Sequence, residues 1–123
     1  MNEASLTRSL VKALERELPG CVVFKHFDVV TTGMPDLSVT WGRRTCWVEV
    51  KYDEGEVGAD QIVTMRRLAQ VGVAFFVEFN YTSGIAVTNI IDPHDSQNNC
   101  SFSKHDVRKV AEFIRKKIEE THS

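Results

Sequence analysis

The chain has 123 residues, 42% hydrophobic and 26% charged, a composition that excludes a disordered or fibrous protein and suffices for one domain with an apolar core. Its formal net charge of −2 excludes a histone-like polybasic binder and at first sight argues against nucleic acid altogether. No apolar run approaches the ~18 residues of a membrane span, Met1-Asn2-Glu3 opens nothing like a signal peptide, and Cys21, Cys46 and Cys100 read as reduced thiols, so a cytoplasmic protein (bacterial, or viral in its host) without a membrane partner is expected.

In chain order, Glu3 to Leu18 places Leu6, Leu10, Leu14 and Leu18 at four-residue spacing before Pro19-Gly20, which predicts an amphipathic helix. Cys21 to Asp28 is β-branched and aromatic and predicts a strand. After a turn at Thr31-Thr32-Gly33, Leu37 to Trp41 alternates apolar and polar, Gly42-Arg43 is a hairpin signal, and Thr45 to Lys51 alternates again. Tyr52 to Gly58 is an acidic loop, and Asp60 is placed to cap a helix running to about Val71, with Gly72 as its stop. Val73 to Phe79 predicts a buried strand, Asn80 to Ser83 a turn and Gly84 to Ile91 a further strand. A polar loop is expected from Asp92 to Asn99, then a capping box at Ser103-x-x-Asp106 opening a helix that turns Val107, Val110, Ala111, Ile114 and Ile118 inward. The order α-β-β-β-α-β-β-α predicts an α/β fold, a mixed sheet flanked by helices.

The chemistry concentrates in Gly33-Met34-Pro35-Asp36 and Glu49-Val50-Lys51. Alternation puts Glu49 and Lys51 on one strand face and Val48 and Val50 on the other. A two-residue loop at Gly42-Arg43 pairs Trp41 with Arg44, which sets Asp36 directly opposite Glu49. Two carboxylates roughly 5 Å apart repel by about 3 kcal/mol at an effective dielectric of about 20, so the pair calls for a cation, Lys51 or a divalent metal. On the helical wheel Glu3 falls between Leu10 and Leu14 and is expected to face the sheet. Taken alone it reads equally as an acid favoured by the dipole of a first helical turn; beside the strand pair, a site-facing role is the better reading.

These residues resemble the PD-(D/E)xK nuclease superfamily, and within it the small stand-alone nucleases of the VRR-NUC (virus-type replication-repair) group. That group shows a G-x-P-D turn, an acid-x-Lys strand end and a glutamine early in the next helix, here Gly33 to Asp36, Glu49 to Lys51 and Gln61. The resemblance covers Glu3 to about Phe79 and implies a restriction-endonuclease-like αβββαβ core, 3–79, in a single nuclease domain of 1–123. The strand and helix of 84–121 are then an extension without a family motif. It implies Mg²⁺ or Mn²⁺ held by Asp36, Glu49, the Val50 carbonyl and Glu3 (directly or through water), with no organic cofactor. Lys51 is then the residue that positions or deprotonates the attacking water, and Gln61 orients that water or Lys51.

The activity implied is that of a metal-dependent DNA endonuclease, selective for branched DNA such as Holliday junctions and acting as a homodimer, because paired incision of a two-fold symmetric substrate needs two sites. Phosphate contacts require cations; candidates are Arg43-Arg44 at the hairpin tip, which extends from the strands carrying the site, then Lys25 and Arg66-Arg67, with a basic C-terminal helix besides. Offsetting Glu3, Asp36 and Glu49 with bound cation moves the balance from −2 to about +1, which reconciles the composition with DNA. The rival reading is a catalytically silent nucleic-acid-binding module retaining the fold. A cysteine or histidine hydrolase finds little support, since Cys21, Cys46 and Cys100 sit in apolar or strand settings and His94, His105 and His122 lack partners at ligand spacing, while His26 is placed only to border the site.

Overall fold

The computed structural model describes residues 2–26, 33–53 and 55–120. The elements are α1 (Glu3–Glu17), β1 (Val22–Lys25), β2 (Leu37–Trp41), β3 (Arg44–Tyr52), α2 (Ala59–Val71), β4 (Val73–Thr82), β5 (Ile85–Asp92), β6 (Asp95–Ser103) and α3 (Val107–Glu120). Among the described residues the strands form one six-stranded sheet in chain order, β1 to β6. Every neighbouring pair is antiparallel except β3 and β4, which run parallel because α2 crosses between them.

The leucine spacing of α1 has the predicted consequence: Leu6, Leu10, Leu14 and Leu18 are buried. Asn2 caps the helix, accepting from the Ser5 N–H at 2.9 Å while Ser5 Oγ accepts from the Asn2 N–H at 3.1 Å. α1 and α3 share one face of the sheet, where Leu37, Val39, Cys46, Val48, Val50, Val77 and Phe79 meet Val110, Ala111, Ile114 and Ile118. A smaller cluster on the opposite face joins Met65 of α2 to Ala74 and Phe76 of β4. The result is a three-layer α/β arrangement with a mixed sheet, as expected.

Four local readings change. The polar stretch after Asp92 is not a loop: Asp95–Ser103 pairs with β5 as edge strand β6. Ser103 therefore ends a strand, and the helix cap is Asp106, whose Oδ1 accepts from the Lys109 N–H at 3.1 Å. Asp60 lies within the first turn of α2, whose N-cap is Gly58. β4 runs on to Thr82, and the turn to β5 is Ser83-Gly84, both at positive φ (52° and 79°). The first predicted strand spans Val22–Lys25; Phe27, Asp28, Thr31 and Thr32 of that region lie outside the described residues.

Candidate active site

The β2–β3 hairpin carries the acids. Gly42 and Arg43 take φ of 58° and 67°, a two-residue turn whose twist suits a hairpin, and Trp41 pairs with Arg44. The ladder continues to Leu37↔Val48, and one step further Asp36 stands beside Glu49 as the pairing predicts. The two acids are tied reciprocally through the opposite chain: Asp36 Oδ2 accepts from the Val50 N–H at 2.8 Å, and Glu49 Oε1 accepts from the Asp36 N–H at 3.0 Å. Each carboxylate thus takes the place of a backbone carbonyl where the ladder ends, which fixes both rotamers.

Glu49 is 1% exposed. Its other oxygen, Oε2, accepts from Gln61 Nε2 and lies 3.4 Å from Lys51 Nζ. Gln61 Oε1 in turn accepts from the Gly58 N–H at 3.2 Å, so the start of α2 aims the glutamine at the acid. Gly33 lets the G-x-P-D turn approach α2: its φ is +81°, and a Cβ there would stand 2.6 Å from the Asp60 carbonyl oxygen and 2.8 Å from Thr64 Oγ1. Burial, the first cause, then the Asp36 charge and a hydrogen bond with Asp36 push the Glu49 carboxyl up to about 7 against the opposing pull of Lys51. The hairpin has built a carboxylate pair short of positive charge.

Glu3 departs from its expected placement. It lies on the apolar stripe, but in the first turn of α1, and it is exposed rather than packed on the sheet. It lines an open cleft of about 440 Å³ with Thr7, Arg8, Lys25, His26 and Asp36. Partial burial and then the Asp36 charge raise its carboxyl, with Lys51 opposing. Arg8 was not singled out by sequence, although its position just over a turn after Glu3 is the signal that places it near the same end of the helix. His26 does border the site: its Nε2 lies 2.9 Å from Ser38 Oγ, its ring is 5.7 Å from the Trp47 ring, and its N–H donates to the Asp36 carbonyl at 2.8 Å. Glu78, in register with Lys51 on the parallel neighbour strand, is a further acid that sequence reading passed over.

The basic candidates separate. Lys25 lies in the cleft. Arg43 and Arg44 sit at the far end of the strands from the acids, Arg44 and Glu49 being about 17 Å apart by strand rise. Arg66 donates its Nε to the Pro93 carbonyl at 2.9 Å, while Arg67 is exposed. On α3, Arg108 pairs with Glu112, Arg115 with Glu17 and Glu119, and Lys117 with Glu120. Cys46 is fully buried and its thiol is pushed up to about 12, the opposite of an activated nucleophile. His94 sits in a turn closed by Asp92, and His105 Nε2 lies 2.9 Å from the Asn80 carbonyl oxygen; His122 is outside the described residues.

The donor set at the hairpin end is hard oxygen, two carboxylates with a backbone carbonyl between Glu49 and Lys51, and it fits Mg²⁺ or Mn²⁺, which take one or two carboxylates and complete their shell with water and phosphate. Among the described residues no three His, Cys, Asp or Glu side chains gather closely enough to hold an ion, so Glu3 stands apart from the Asp36–Glu49 pair.

No family model matches the chain. No curated protein sequence matches it either. Among solved structures it is similar to Hjc, a Holliday junction resolvase from the archaeal hyperthermophile Archaeoglobus fulgidus, with a TM-score of 0.56 at 16% identity, over 88% of this chain and 98% of that one. The likeness shows the fold: a restriction-endonuclease-like mixed sheet flanked by helices.

Proposed function

We propose that the chain is a metal-dependent endonuclease that hydrolyses DNA phosphodiesters, selective for branched DNA and acting as a homodimer, of the VRR-NUC type within the PD-(D/E)xK nucleases. One observation carries the reading: Asp36, Glu49, Lys51 and Gln61 meet at one hairpin end, tied by hydrogen bonds and an ion contact, around a buried acid that lacks charge compensation. The fold shared with a Holliday junction resolvase supports branched DNA as substrate, and a two-fold symmetric junction calls for two copies of a one-site chain.

Asp36, Glu49 and the Val50 carbonyl would hold the cation, with Glu3 acting through water. When bound, Mg²⁺ or Mn²⁺ supplies Lewis acidity, acidifying water and offsetting the charge that develops on phosphorus. The Val50 N–H fixes Asp36, and the Asp36 N–H and Gln61 fix Glu49, so the acids need no reorganisation when substrate arrives. Lys51, held beside Glu49, presents an ammonium to the attacking water and takes or orients its proton. Lys25 meets the phosphate backbone at the cleft.

A cleavage panel of four-way junction, flap, duplex and single-stranded DNA, with Mg²⁺ or Mn²⁺, tests the reading. Wild type is expected to cut the branched DNAs and Lys51→Ala to lose the activity. Wild type that leaves every DNA intact, as Asp36→Ala does, returns the chain to the silent binding module.

A further inference from the structure

The sheet end that carries Lys51 also carries aromatic side chains that the proposed hydrolysis does not use. Tyr52 follows Lys51 directly and points to the opposite face. It pairs in register with Phe79, and Tyr81 lies two residues further along the same strand. The two tyrosine hydroxyls stand 3.2 Å apart, with ring centroids 6.3 Å apart and nearly perpendicular. His105 closes the group, its ring 6.0 Å from Tyr52, 4.9 Å from Tyr81 and 5.7 Å from Phe79, anchored by the Asn80 carbonyl. Phe79 is fully buried, whereas Tyr81 is 42% exposed. A ring set held by hydrogen bonds with one member open to solvent is a stiff surface that loses little entropy when a flat group lands on it.

Its position says what lands there. From Lys51 to Tyr81 the chain steps one strand across and three residues along, about 11 Å by strand spacing and rise, a reach of a nucleotide or two from the phosphate at the acids. Lys104, exposed and directly before His105, supplies a cation at the rim for the backbone of that nucleotide. A base inside a duplex has no free face, so such a surface discriminates for DNA whose bases are unstacked, as they are at a branch or on a single strand.

We infer that Tyr81, backed by Tyr52 and His105, is a stacking platform for an unpaired base next to the scissile phosphate, and that it provides part of the selectivity for branched over duplex DNA. The inference rests on the nuclease reading above and names how that site recognises its substrate.

The experiment measures equilibrium binding without divalent ion, so that nothing is cut, using a flap DNA with 2-aminopurine at the branch and the matching duplex. Tyr81→Ala is expected to weaken flap binding by about tenfold or more, the range for loss of one base–aromatic stack, and to abolish the 2-aminopurine signal, with duplex binding unchanged. Tyr81→Phe, which keeps the ring and loses only the hydroxyl, is expected to bind as wild type, and matched melting curves confirm that both variants fold. Tyr81→Ala that binds flap and duplex as wild type does, with the 2-aminopurine signal intact, overturns the platform while leaving a wild-type protein that cuts DNA still a nuclease. Equal weakening on flap and duplex also overturns it, since stacking on an unpaired base leaves the duplex untouched. Wild type that binds no DNA overturns both readings.

Discussion

Strand β3 presents two different proteins on its two faces. On one side Cys46, Val48 and Val50 are fully buried against α1 and α3, and every added contact there stabilises the fold. On the other, Trp47, Glu49 and Lys51 alternate with them, and Glu49 is as buried as its apolar neighbours yet sits beside a second carboxylate. One face is built for the folded state alone, the other for a cation and a substrate that complete it. Core and site are one residue apart, so substitutions on β3 and its partners should sort cleanly by face.

The largest effect expected is on the site face. Lys51→Ala lowers cleavage by about 10²–10⁴-fold, the usual worth of a positioned proton-transfer group, with melting close to wild type. A variant that cuts normally would move Lys51 off the reaction path. On the core side, Leu10→Ala costs about 3–5 kcal/mol in urea unfolding, because a fully buried leucine leaves a cavity, while cleavage per folded molecule stays unchanged. A matching loss of intrinsic activity would show that the two faces are not separable.

Glu49→Gln sharpens the contrast, since it is expected to abolish cleavage and yet stabilise the metal-free protein at pH 8. The sign comes from the raised carboxyl. Between the ordinary carboxylate value, 4.5, and about 7 the folded state holds a proton that the unfolded chain has released. Stability therefore falls as pH rises through that window and is regained on acidification. The fall, on the order of 2 kcal/mol, is expected in wild type and flattened in Glu49→Gln. Melting curves from pH 5 to 8 check it, and parallel curves for the two proteins would contradict it.

The smallest effect separates the cations. Arg43→Ala, at the far hairpin tip, should reduce the salt slope of DNA binding by about one and leave the cleavage step alone, whereas Lys25→Ala, in the cleft, should lower the cleavage rate as well. Equal effects would restore the tip to the rank that its sequence suggested.

Much of the fold and site is legible in the order of the residues. The Gly42-Arg43 loop sets the hairpin register, and the register puts Asp36 beside Glu49, since period-2 alternation leaves a strand pair little choice. Gln61 is legible as a residue near the site but not as the clamp on Glu49, which depends on how α2 docks. β6 is hidden because Asp95 to Asn99 is polar and poor in β-formers; it is a strand because β5 offers an open edge, a tertiary cause that local pattern does not carry. Glu3 is placed by wheel angle alone, and the angle does not say that the first turn overhangs the core. Arg8 and His26 enter the cleft through the packing of α1 and the end of β1, which no spacing rule expresses.

The most direct test of the central claim is calorimetric titration of the metal-free protein with Mn²⁺ near pH 7, in buffers of different ionisation enthalpy, for wild type and Glu49→Gln. The account predicts binding by wild type with release of a proton, because the Glu49 carboxyl must ionise to take the cation, and no such site in Glu49→Gln. Mn²⁺ binding of equal strength in both proteins, without proton release, would place the cation elsewhere and contradict it.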